Sequence, residues 1–133
     1  VSANINVIFQ GILTLADETL SNAPYTNNLD LQNPTLAATQ VLSEGFLQVA
    51  TSPGTTISFS FNAYLILVWN RSSTNTLIIN VNATGGPGVQ EVGTIGPGGI
   101  FVVMDPARTG GGWNGLMLEA NVATVPAAVV LAG

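Results

Sequence analysis

Apolar and polar residues alternate with a period of two along much of this chain, and the alternation is broken by clusters of Gly, Pro, Asn and Ser. Ile57, Phe59 and Phe61 alternate with Ser58, Ser60 and Asn62, the pattern of a strand with one core face and one polar face. Residues 63–69 follow as an unbroken apolar run, which predicts burial on both faces or a switch of sheet. Residues 71–75 read as a turn, and 76–81 as a strand with Leu77, Ile79 and Val81 inward. Two turns follow, Gly85-Gly86-Pro87-Gly88 and Gly96-Pro97-Gly98-Gly99, with room for a strand at 89–95 between them and another at 100–104 after them. A glycine-rich loop from Asp105 to Gly112 then leads into strands at 113–120 and 122–131.

The first third is less regular. Ile5, Val7 and Phe9 alternate with Asn6, Ile8 and Gln10, Gly11 permits a bend, and 12–16 resumes, so one bulged strand or two short ones are expected. Residues 17–33 lack periodicity and contain Pro24, Tyr25 and Asn27-Asn28, the composition of an arm or long loop. Asn33 and Pro34 fit a helix start and Gly45 a helix end. Thr35 and Thr39 oppose a helix, however, and 40–49 fits an extended segment equally well. Eight to ten short strands at this spacing predict a single all-β domain over 1–133, an antiparallel β-sandwich with the jelly roll as its expected form.

Composition sharpens this picture. Charged residues make up 7% of the chain, against about 25% in ordinary domains. Seven acids and two arginines leave a formal net charge of −5, with no Lys, His or Cys, and polarity rests on 13 Asn, 14 Thr and 8 Ser. A mean hydropathy of +0.46 with so few charges implies a largely neutral surface, which favours self-association or incorporation into an assembly. Arg71 and Arg108 are too few to neutralise a phosphate backbone, so no direct nucleic-acid contact is expected. The apolar runs at 63–69 and 125–132 are too short to cross a bilayer as helices. No basic segment leads into an apolar signal-peptide core, and no disulfide can form.

Candidate chemistry is sparse. Without His, Cys or Lys, the only familiar acid/base option is a carboxylate pair drawn from Asp17, Glu18, Glu91, Asp105 and Glu119, and their spacing selects none, so no enzyme activity is expected. Asp105 with loop carbonyls, or Asp17, Glu18 and Asn22, offer oxygen ligands, but no calcium-loop pattern is present, and no metal or cofactor is expected. The most site-like stretch is 105–114, where Asp105, Arg108, Trp113 and Asn114 surround flexible backbone. Those groups suit a sugar, or an anchor on a neighbouring subunit. Asn70-Arg71-Ser72 and Asn82-Ala83-Thr84 match the glycosylation pattern, as chance allows in so Asn- and Thr-rich a chain.

Three segments carry a resemblance: Ile57-Ser58-Phe59-Ser60-Phe61, the run from Asn75 to Val81, and Gly96-Pro97-Gly98-Gly99-Ile100-Phe101. With Gly112-Trp113 and the apolar tail ending Val129-Val130-Leu131-Ala132-Gly133, they make residues 55–133 resemble a small virion structural protein. The likeness is to jelly-roll cement, decoration or spike modules of tailed-bacteriophage capsids. It implies a homo-oligomer, often a trimer, assembled in the host cytoplasm and seated on the outer capsid surface, where it braces capsid subunits. Residues 17–33 would then be an arm with Tyr25 as an anchor, and Asp105, Arg108, Trp113 and Asn114 interface contacts. The alternative is a carbohydrate-binding β-sandwich of a receptor-binding or secreted protein, with Trp113 and Asn114 lining its cleft.

Overall fold

A computed structural model describes residues 3–6 and 35–133. Among them the chain forms ten strands and no helix: β1 (Ala3–Asn6), β2 (Thr35–Ala38), β3 (Val41–Val49), β4 (Thr55–Ile57), β5 (Leu65–Asn70), β6 (Leu77–Ala83), β7 (Gln90–Ile95), β8 (Ile100–Met104), β9 (Trp113–Ala120) and β10 (Val125–Ala132). Two four-stranded antiparallel sheets, ordered β3-β10-β5-β8 and β4-β9-β6-β7, make an all-β sandwich, and β1 and β2 form a separate two-stranded ribbon.

The period-two pattern explains the core. Val125, Ala127, Val129 and Leu131 of β10 and Ile66 and Val68 of β5 point inward from the first sheet, against Leu77 and Ile79 of β6 and Leu116 and Leu118 of β9 from the second. All of these side chains are buried, so one apolar layer joins the two sheets.

Residues 35–49 are extended rather than helical. Leu36 and Ala38 are buried while Ala37 and Thr39 are exposed, an alternation that places both apolar side chains against Leu65 and Ala132. β3 pairs along the length of β10, which supplies its backbone partners. Strand β4 stops at Ile57, short of the alternating run through Asn62. Phe59 and Phe61 instead turn with the chain and pack on the core with ring centroids 5.4 Å apart. The apolar run then enters the other sheet as β5, where Leu65, Ile66 and Val68 are buried from two sides. The expected arm at 17–33 and its Tyr25 lie outside the described residues.

Candidate functional site

The loop after β8 is a brace. Asp105 Oδ2 accepts the Gly110 N–H at 2.9 Å, and Oδ1 accepts the Thr109 hydroxyl at 3.4 Å. The Gly110 N–H chiefly, with further hydrogen bonds from Thr109 and Arg108, holds the Asp105 carboxyl below its ordinary value of 3.8, against an opposing effect of burial. Arg108 adopts a left-handed backbone with φ 53°. Its guanidinium lies 4.8 Å from the centre of the Tyr64 ring and donates to the Ala37 carbonyl at 2.6 Å, clasping β2 to the sandwich.

Trp113 and Asn114 are directed elsewhere. Trp113 exchanges backbone hydrogen bonds with Ala63 at 2.8 and 2.7 Å, and its half-buried indole packs on the core. Asn114 Oδ1 accepts from Asn82 Nδ2 at 2.7 Å. Asp105 and Arg108 therefore share one loop, whereas Trp113 and Asn114 are tied to the sandwich itself. Of the carboxylates, Glu91 pairs with Asn80 and Glu119 with Ile78, on strands that flank β6 from opposite sides. No group of three or more His, Cys, Asp or Glu able to hold a metal occurs among the described residues.

Asn70 is fully buried, and its side chain is consumed by structure. Its Nδ2 faces the carbonyls of Asn75, Gly96 and Ile95 at 2.8, 2.9 and 3.2 Å, and its Oδ1 accepts the Ser72 N–H at 3.0 Å. The Asn70-Arg71-Ser72 pattern is therefore closed to a glycan in the folded protein.

The feature missed by reading along the chain is the outer face of β3-β10-β5-β8. Alternation sends Val41, Ser43, Phe46 and Gln48 of β3 outward, with Pro126, Ala128, Val130 and Ala132 of β10. From β5 come Leu65, Leu67 and Trp69, and from β8 Ile100, Val102 and Met104. Only Ser43 and Gln48 are polar, and none of these side chains is charged. The ribbon covers one end, where Leu36 and Ala38 pack with Leu65, Ala132, Val102 and Met104. At the other end Phe46 is 68% exposed, Ile100 61% and Trp69 42%. Ala128 opposes Trp69, and Trp69 opposes Ile100, so these residues form a row across the strands.

Arg71 closes that row. Its guanidinium lies 4.7 Å from the Phe46 ring centre and 5.1 Å from that of Trp69, and its Nη1 donates to the Gly45 carbonyl at 2.8 Å. The outer face of the other sheet is of a different kind, carrying Thr56, Asn80, Asn82, Glu91, Thr94 and Glu119 beside Ile78 and Met117. The sequence signal for the apolar face was the uninterrupted run at 63–69, which leaves no polar side to β5. No protein-family model, curated protein or solved structure matches the chain.

Proposed function

We propose that this protein is a structural module of a virion, a cement or decoration protein that binds the outside of a capsid shell and works by burying surface against other proteins. The observation that carries the reading is the uncharged, apolar outer face of β3-β10-β5-β8, a surface whose chemistry suits contact with protein. Such a face joins neighbours with little cost of removing charge from water. The strand order supports the finer fold assignment, a jelly roll. Successive strands from β3 to β10 switch sheets except for the β6-β7 hairpin, giving orders 3-10-5-8 and 4-9-6-7. The resemblance of residues 55–133 to capsid cement and spike modules supplies the shell as the partner and the virion exterior as the location.

The test is reconstitution on particles. Shells assembled without the protein are incubated with it, imaged, and challenged by heat. Ordered density on the shell exterior and a raised temperature of shell rupture are expected. A chain that leaves rupture unchanged, adds no density and instead binds glycans saturably would establish the carbohydrate-binding alternative.

A further inference from the structure

We infer that the exposed part of the outer face of β3-β10-β5-β8 is a self-association surface, and that its partner is the same face of a second copy of this chain. The inference rests on the reading of this face as a protein contact and names its occupant: a second copy fills the exposed part of the face, and a shell is then met by the remaining surface of the pair.

A sheet that is apolar on both faces requires a layer on each side. The second sheet supplies one layer. On the other side, Leu36 and Ala38 of the ribbon reach only the Leu65, Ala132 and Met104 end, leaving Phe46, Trp69 and Ile100 in contact with solvent.

Charge selects the occupant. Two copies of a chain with net charge −5 repel wherever their carboxylates meet, and the outer face of β4-β9-β6-β7 carries Glu91 and Glu119. The face of β3-β10-β5-β8 carries no carboxylate. Two charges border its exposed part: Glu44, exposed on β3 and directed away from this face, and Arg71, just past the end of β5, where a rim cation stays hydrated while its stem and plane cover Phe46 and Trp69. This is the described surface on which two acidic copies meet without repulsion.

Pairing through the β3 edge is discouraged. The β3 edge is broken by a bulge opposite Ala127 and Val129, and Glu44 lies on the inward-directed side of that strand. The face supplies the exposed apolar area, and a face that meets itself generates a twofold. Four strands about 4.8 Å apart and five residues at about 3.3 Å each give a face of roughly 20 by 17 Å. That is small for a permanent interface and suits a reversible, concentration-dependent dimer.

Sedimentation velocity of the full chain from about 1 µM to several hundred µM tests this, bracketing the affinities expected of small interfaces. A monomer that converts to dimer with rising concentration is expected. Ile100→Glu places two carboxylates in the contact and Phe46→Ser removes a ring, and each raises the dissociation constant by about tenfold or more. Both positions are exposed, so both variants retain the far-ultraviolet spectrum of the parent. Val92→Glu, an exposed change on β7 of the other sheet, leaves dimerisation as it was. A parent that stays monomeric throughout overturns the inference, and emission from Trp69 shielded from quencher in a Trp113→Phe monomer would assign the cover to residues 7–34. A dimer or trimer indifferent to Ile100→Glu and Phe46→Ser overturns it equally, while saying nothing against a role on a capsid.

Discussion

Asn70 does by hydrogen bonding what charged pairs do in other proteins. Projecting from β5, it binds carbonyls of the 71–75 turn and of the end of β7, so one neutral amide ties the two sheets together. Asn70→Ala leaves those carbonyls short of a donor and is expected to cost about 2–3 kcal/mol in urea unfolding. Asn70→Asp costs at least as much, because a buried carboxylate would face three carbonyl oxygens. A different rule governs Asp105, whose carboxyl titrates lower in the fold than in the unfolded chain. Its contribution to the 105–112 loop is therefore complete above the ordinary value of 3.8 and is lost as pH falls through the folded value. The Gly110 amide resonance should follow that titration with a midpoint below 3.8, and Asp105→Ala should abolish the response. Neither role was legible in the sequence: Asn70 stood in a glycosylation pattern and Asp105 in a group suited to a ligand, and only packing reveals which partners consume them.

Strands were legible where an alternating segment also kept a backbone partner along its length; the equally clean run at 57–62 leaves its sheet after Ile57 although Phe59 and Phe61 still pack on the core. Leu77, Ile79 and Val81 turn inward within β6 as their spacing predicts, and β9 spans Trp113–Ala120 as read. Residues 35–49 were ambiguous because helix-boundary residues flank a segment whose partners, β10 and Leu65, lie far along the chain. Tertiary pairing decided the matter, as it does when local propensity is weak. The connections between elements are set by glycine geometry at a few points. Gly112 has φ 72°, and a Cβ there would sit 2.7 Å from the Ala63 carbonyl oxygen, in the bridge that places Trp113 on the core. Gly112→Ala is expected to lower stability by about 1–3 kcal/mol in denaturant titration. Gly93→Ala, within β7 and with no atom within 4 Å of the added carbon, should change it by less than about 0.5 kcal/mol.

At the scale of the whole molecule, scarcity of charge becomes a difference between two outer faces. Phe46, Trp69 and Ile100 come from three strands whose adjacency follows from the order β3-β10-β5-β8. That order arises from pairings between distant segments, so local patterning contained the apolar residues and not their convergence. Because the face holds no carboxylate and Arg71 lies at its rim, association through it should respond to salt as an apolar contact does. Screening by sodium chloride acts on the general repulsion between acidic copies and, at the rim, on Arg71, so raising it from about 0.05 to 0.3 M should tighten the dimer only slightly. Ammonium sulfate, which is excluded from apolar surface, should tighten it further at equal ionic strength. Sedimentation in the two salts separates the possibilities: dissociation as sodium chloride rises would mean that rim ion pairs, Arg71 of one copy with Glu44 of the other, hold the copies together in place of the apolar contact.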